Sequence, residues 1–391
     1  MKNLLQGILD LLKERNTGAE KREEVSNFQK DNNYLSIKFF LDKIADINYK
    51  MKDTINIAIA GATGYVGLEL IKILENHPKV KIIFLLSKKS VGKNINYFDN
   101  KIKSKKLPKL TDIKKINWRK IEIIFSALPD GEAQKIAKII PNKVKLIDLS
   151  ADFRIINPKV YKKWYGINNN TNKEKNSSIY AISEFTKKKL PHFNIISCPG
   201  CYPTSIQIPL IPLIKKQLIN LESIIVDSKS GYSGGGKDIF KKFPKKDLLN
   251  SVSAYGVGNH RHMPEIDQEL SIAAKKKVEV IFTPHLIPMF RGILSTIYLE
   301  TKKNISPKKI HAFLLKAHKD NFFIKIAKFN TNIGTDEVMN TNFCKISVCK
   351  DRKKNRIIII SVIDNLIKGA AGQAVQNMNL AFKLRENLGF K

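Results

Sequence analysis

Residues Ile55-Asn56-Ile57-Ala58-Ile59-Ala60 run without a break into Gly61-Ala62-Thr63-Gly64-Tyr65-Val66-Gly67, and then into Leu68, Leu70, Ile71 and Leu74. The short run rich in β-branched residues predicts a buried strand, the glycines a tight turn, and the apolar residues at helical spacing a helix behind it. Strand, glycine turn and helix in that order open a βαβ unit, and the G-x-x-G-x-x-G spacing is one variant of the dinucleotide fingerprint. Glycines in such a turn let the backbone approach a pyrophosphate held on the open N–H groups of the helix's first turn. Gly61, Thr63, Gly64, Tyr65, Val66 and Gly67 are therefore candidate cofactor contacts. Strands are expected again over 80–86, 121–127 and 145–149, as in an open, mostly parallel sheet of α/β class. The first of these strands should end beside the adenosine ribose, where an acidic residue selects NAD. Ser87-Lys88-Lys89-Ser90 stands there instead. Hydroxyls and ammonium groups suit a 2′-phosphate, which makes Ser87 and Lys88 candidate contacts and NADPH/NADP the expected cofactor. A solvated surface pair of lysines is the plainer alternative.

Further along, Pro199-Gly200-Cys201-Tyr202-Pro203 precedes an apolar run through Ile206, Ile208, Leu210 and Ile211. A cysteine at the start of a helix meets the positive end of the dipole and free backbone N–H groups, both of which favour a thiolate. Cys201 is thus a candidate nucleophile, against the alternative of a small buried thiol. His260-Arg261-His262-Met263-Pro264-Glu265 comes next, with Pro264 in the first turn of a helix carrying Ile266, Leu270 and Ala273. The dipole there helps keep an imidazole neutral, so His260 and His262 are acid/base candidates, and their spacing with no third ligand argues against a metal. Cys198 and Cys201 form C-x-x-C, but Cys344 and Cys349 do not complete a zinc pattern; Cys198 is instead a candidate resolving thiol. Ser228 to Lys237 is a glycine- and hydroxyl-rich loop directly after a strand, suited to holding an anion through Ser230 and Gly231. Asp148 to Arg154 ends another strand at the carboxyl edge, where doubly wound sheets place ligands.

The chain has 391 residues, enough for two domains, and no apolar run approaches the length of a membrane span. Residues 1–51 predict two amphipathic helices of no evident chemistry. Residues 52–200, completed by a single returning helix over 365–391, are expected to form the dinucleotide-binding domain, and 201–364 an α+β catalytic and oligomerisation domain. Four cysteines make no disulfide framework, which points to a reducing cytoplasm. The formal charge of +34 is carried by lysines spread through every segment, with no nucleic-acid motif beside them, so neither a nucleic acid nor a membrane is an expected partner. Only nine of the 69 basic residues are Arg. Arg154, Arg261 and Arg291 fall inside motifs, where the bidentate guanidinium suits a phosphate or a carboxylate.

A nucleophilic sulfur, a nicotinamide site, a histidine and cationic groups are the parts needed to reduce an acyl phosphate. With these residues the chain resembles the N-acetyl-gamma-glutamyl-phosphate reductases of arginine biosynthesis, relatives of aspartate-semialdehyde and glyceraldehyde-3-phosphate dehydrogenases. The similarity runs from Ile55 to the C-terminus through Gly61–Gly67, Asp148–Arg154, Pro199–Thr204, Ser230–Gly234, His260–Ile266 and Asp364–Ala374. It implies a Rossmann-type domain joined to a glyceraldehyde-3-phosphate dehydrogenase-like α+β domain, and a homodimer or tetramer. The implied reaction is NADPH-dependent reduction of N-acetyl-L-glutamyl 5-phosphate to the 5-semialdehyde through a Cys201 thioester. It also implies that His262, in preference to His260, is the acid/base, that Asn365 lies near the nicotinamide, and that Ser150, Arg154, Glu184, Arg261 and Arg291 are substrate candidates. The chain departs from the family at Cys198, where Asn is usual, at Asp130, where His is common, and in Tyr180-Ala181-Ile182-Ser183-Glu184. The rival readings are a sister reductase acting on aspartyl phosphate or a carrier-bound aminoadipyl or glutamyl phosphate, and a non-catalytic dinucleotide- or RNA-binding protein.

Overall fold

The computed structural model describes residues 54–390, apart from 105, 172, 173, 175, 238 and 244; the helices expected within 1–51 lie outside the described residues. A first sheet contains β1 (Ile55–Ala60), β2 (Val80–Leu86), β3 (Leu110–Thr111), β4 (Ile123–Ser126), β5 (Lys145–Asp148), β6 (Ser178–Tyr180) and β7 (Ile195–Ser197). Its order is β3-β2-β1-β4-β5-β7-β6, and the pairings are parallel throughout. Five of the six β1 residues are buried, as a strand covered on both faces requires. From β1 the chain first builds outward to β2 and β3, then crosses to β4 on the other side. The crevice where the order reverses opens at the carboxyl ends of β1 and β4, directly at Gly61. Helix α1 (Tyr65–Leu74) follows that turn.

A second, mixed sheet holds β8 (Ile225–Gly231), β9 (Ser253–Ala254), β10 (Ile281–Ile287), β11 (Ile293–Glu300), β12 (Ile324–Ile326), β13 (Cys344–Lys350) and β14 (Arg356–Ile363), in the order β12-β13-β14-β11-β8-β10-β9. One face packs on α2 (Cys201–Lys215) and α3 (Met263–Ala274). Ile206, Leu210, Leu213, Ile266 and Leu270 from the helices meet Val226, Ile297, Ile346 and Ile359 from the strands in one continuous core. Twelve of the fifteen α2 residues are buried, so the helix tolerates Pro209 and Pro212 inside it because packing replaces the backbone bonds they forfeit. The other face is covered at one end, where Val362 packs with Ala327, Ile333 and Val338, and is open at the other. Strand register sets Ile281, Ile225, Tyr298 and Ile358 side by side across it, with Ile281 61% and Tyr298 40% exposed.

The C-terminal segment differs from the single helix expected. A π-helical turn over Ile367–Ala371 leads into α4 (Gly372–Ala381), and the helix stops seven residues before Leu388. Lys383 adopts φ +57°, and the chain doubles back so that the Asn379 amide donates to the Leu388 carbonyl at 2.9 Å. None of the ten α4 residues carries a charge, and all but Leu380 are buried. This helix packs on α1 and β5 of the first sheet.

Candidate active site

The glycine turn is shaped for a close ligand. Gly61 has φ +78°, and a side chain there would run into the Ala127 carbonyl oxygen, while one on Gly67 would meet the Gly61 carbonyl oxygen. Helix α1 starts at Gly64 with no side-chain cap and no acid in its first turn, so its N–H groups stay available for a pyrophosphate. These features fit a dinucleotide. At the end of β2, the Ser87 N–H is held by the Thr111 carbonyl at 3.0 Å, and the exposed Lys88 reaches Glu132 at 3.2 Å.

A cleft of about 690 Å³ runs from Val66 and the 128–130 loop to Cys201, Ser230, His262 and Asn365. That volume suits a small substrate with part of a cofactor. Cys201 is the first residue of α2, and Gly200 before it is the N-cap. The His262 imidazole lies on Gly200 so closely that a side chain at 200 would overlap the ring. On the other side, a side chain on Gly369 of the π-helical turn would come within 2.7 Å of the Cys201 Cβ. The nucleophile candidate is therefore walled by two positions that only glycine fits.

Burial pushes the Cys201 thiol up to about 11, against the lowering effects of the Tyr202 backbone N–H and Arg154. The dipole argument made from sequence is overruled here: desolvation outweighs the helix terminus, and the resting group is a thiol. His262 is held well below the usual histidine range by burial, and then by His260, Arg154 and Arg261, so it is neutral at pH 7. His260, pushed down to about 4 by burial and Arg261, accepts the His262 backbone N–H on Nδ1 at 3.1 Å. Its ring packs edge-on against Tyr202, Tyr255 and Phe282. Of the two histidines, His262 is the one whose ring lies on Gly200.

One glutamate organises this turn. Glu265 Oε1 accepts from the Gly200 N–H and from the Tyr180 hydroxyl, both at 2.8 Å, and its Oε2 faces Arg154 at 3.4 Å. Three residues beyond His262, it ties the turn before Cys201 to the first turn of α3.

Residues 56–192 match the family model described as semialdehyde dehydrogenase, NAD binding domain, and residues 201–365 the one described as semialdehyde dehydrogenase, dimerisation domain. The N-acetyl-gamma-glutamyl-phosphate reductase of Alkaliphilus metalliredigens is 42% identical over 339 residues, covering 86% of this chain and 98% of that protein. A probable chloroplastic N-acetyl-gamma-glutamyl-phosphate reductase of Arabidopsis thaliana is 39% identical over 345 residues, covering 88% and 86%. The chain belongs to the N-acetyl-gamma-glutamyl-phosphate reductase family. The fold is shared more widely: aspartate semialdehyde dehydrogenase II from Vibrio cholerae superimposes with a TM-score of 0.65 at 20% identity, over 84% of this chain and 99% of that one. The resemblance drawn from the motifs holds, as does the α/β class with a Rossmann-type domain and an α+β partner domain.

Within this reductase family's frame, the residues expected at the substrate separate into two groups. Arg261 and Ser150 line the cleft, as does Arg154. Arg154, however, is a buried strut: Nε donates to the Cys198 carbonyl and Nη2 to the Leu149 carbonyl, both at 2.7 Å, and Nη1 faces Glu265. Ser150 donates to Asp148 at 2.7 Å. Arg291 and Glu184 do not line the cleft, contrary to expectation, because each is satisfied elsewhere. Arg291 binds Glu69 at 2.8 Å and Asp364 at 3.2 Å. Glu184 pairs with Lys368 at 2.6 Å, with neither side chain exposed. On the cofactor side, Ser230 and Asn365 face the cleft, Gly231 lies behind at the strand end, and the Asn365 amide donates to Ser233 at 3.0 Å while accepting the Gly292 N–H at 2.7 Å. Cys198 is fully buried beneath the Asn377 amide, and burial pushes its thiol up to about 12, which suits a packing group better than a resolving thiol. Glu265, Tyr180 and Gly369 went unassigned from sequence. Glu265 carried the one local signal, its place one turn after His262. Among the described residues, no three His, Cys, Asp or Glu side chains converge for a metal, and no helix is long and apolar enough to cross a membrane.

Proposed function

We propose that this chain reduces N-acetyl-L-glutamyl 5-phosphate to N-acetyl-L-glutamate 5-semialdehyde with NADPH, releasing phosphate. The observation that carries the proposal is the His262 imidazole lying on Gly200, beside Cys201 at the start of α2 and in one cleft with the end of the glycine turn. Cys201 Sγ attacks the acyl carbon. Because the thiol and the imidazole both rest neutral, the proton passes to His262 as the S–C bond forms, and the C–O bond to phosphate breaks to leave a thioester. When bound, NADPH supplies the hydride that takes the acyl carbon to the aldehyde level. As the C–S bond then breaks, His262 returns its proton to sulfur and restores the thiol. The 61–67 turn holds the pyrophosphate, Ser87 and Lys88 face the 2′-phosphate, and Ser230, Gly231 and Asn365 border the nicotinamide end. Arg261 meets an anionic group of the substrate. Residues 52–200 with 365–391 act as the nucleotide-binding domain, and 201–364 as the catalytic domain.

Two copies pair through the open face of the second sheet, where the Ile281, Ile225, Tyr298 and Ile358 row would otherwise stay wet. The enzyme works in the cytoplasm, a compartment that keeps its four unpaired cysteines reduced. The deciding assay runs the reaction backwards, following phosphate-dependent reduction of NADP with N-acetylglutamate, aspartate and carrier-bound semialdehydes. Preference for N-acetylglutamate semialdehyde is expected; preference for either of the others would replace this substrate with that one.

A further inference from the structure

Asp130 and Arg261 meet within the cleft, and neither needs the other for burial. Arg261 Nη1 donates to Asp130 Oδ2 at 2.9 Å, with the arginine side chain 64% exposed and the aspartate 26%. Asp130 comes from the loop after β4 in the first sheet, and Arg261 from the approach to α3, between the two histidines. The two ends of the bridge are held differently. Asp130 Oδ1 accepts the Ala151 N–H at 3.1 Å, and the next residue, Gly131, donates its N–H to Asp152 at 2.6 Å, so the carboxylate is fixed to its loop. The guanidinium is tied by that one bond and otherwise rests over the Tyr165 ring at 5.7 Å. Arg154 and Arg291, by contrast, are locked by buried partners. Arg261 is thus the arginine of the three that can change partner at little cost, since an exposed ion pair contributes weakly.

We propose that Asp130 is an internal competitor for the substrate's anionic group: it pairs with Arg261 until a phosphate or carboxylate takes its place. Asp130 acts through Arg261 and does not touch the substrate, so it sets anion affinity as a positioning residue. The proposal rests on the assignment of Arg261 to the substrate. A fixed carboxylate beside a movable guanidinium gives the site a threshold, because an anion must outbid Asp130 to be held.

Asp130→Asn keeps the acceptor for Ala151 and removes the charge. It is expected to lower both the inhibition constant of inorganic phosphate and the KM for the acyl phosphate by about two- to fivefold, with kcat unchanged, the range a single exposed ion pair supports. Arg261→Met should raise both constants, and adding Asp130→Asn to Arg261→Met should change nothing further, because the competition has lost its object. Inhibition by N-acetylglutamate, which offers only carboxylates, separates the two sources of anion: a shift confined to phosphate makes the phosphate group the displacing one, and a shift shared by N-acetylglutamate makes it a carboxylate. NADPH binding, followed by its fluorescence, checks that each variant is folded. Unchanged or raised constants in Asp130→Asn, with Arg261→Met clearly impaired, would overturn the competition alone. Unchanged constants in Arg261→Met would remove Arg261 from the substrate and the proposal with it.

Discussion

Cys201 is pulled two ways, by a helix terminus that favours its anion and by burial that favours its thiol, and burial prevails. Its alkylation by iodoacetamide should therefore keep rising from pH 7 through pH 10, as the thiolate fraction grows toward a pKa of about 11. A plateau reached near neutrality would show a stabilised thiolate instead. Replacing Cys201 with Ser should cost roughly a thousandfold or more in kcat, with NADPH binding intact, because the alkoxide route lacks an acidic enough nucleophile. Gly200→Ala tests the wall: its methyl group overlaps the His262 ring, so kcat should fall about a hundredfold, or about 2.7 kcal/mol of barrier, while the NADPH dissociation constant stays put. Normal turnover in that variant would place the base elsewhere. The cysteine, the histidines and the glycine turn were legible because each sits in a local run whose residue types state their chemistry. The contacts that arrange them were not, since Gly200 meets Glu265 across 65 positions and Gly369 reaches Cys201 from the far end of the chain. Arg291 and Glu184 misled for the same reason: a charged residue in a motif looks the same from sequence whether it meets a ligand or a buried counter-ion.

At the scale of elements, the π-helical turn and α4 depend on one buried pair. Lys368 donates to Glu184 at 2.6 Å and to Gln376 at 2.9 Å, all without exposure to solvent. Lys368→Met strands a buried carboxylate and should cost about 3–5 kcal/mol of unfolding free energy in urea titrations. The double variant Glu184→Met with Lys368→Met should recover most of that loss, because it leaves no unpaired charge; failure to recover would mean the pair is needed for its geometry. The longer strands of the first sheet were legible in the sequence to within a few residues, since β1 and β2 are apolar runs bounded by turns. The three-residue strands β6 and β7 were not, being too short to show any period. The overlong C-terminal helix was a fault of the same kind. Apolar spacing continues past Ala381, while the stop is written in side-chain bonds from Asn379 to a backbone several residues ahead.

For the whole molecule, the open face of the second sheet makes a separate prediction. Ile281→Asp puts a charge in the middle of the exposed row and should shift the protein to monomers in sedimentation, with the isolated monomer still binding NADPH. An unchanged assembly would move the interface off this face. The net charge of +34, conspicuous in composition, gathers into none of the cleft's machinery beyond Arg154 and Arg261. Helix α4 carries a consequence of another sort. It belongs to the last twenty residues of the chain, yet it packs against α1 and β5, elements made more than two hundred residues earlier. On a ribosome that synthesises from the N-terminus, the nucleotide-binding half therefore waits until the second sheet has been made before this wall arrives. A nascent chain halted before Gly372 should leave that half open to protease, and the first half of this protein, unlike many, cannot finish folding while the second is still being made.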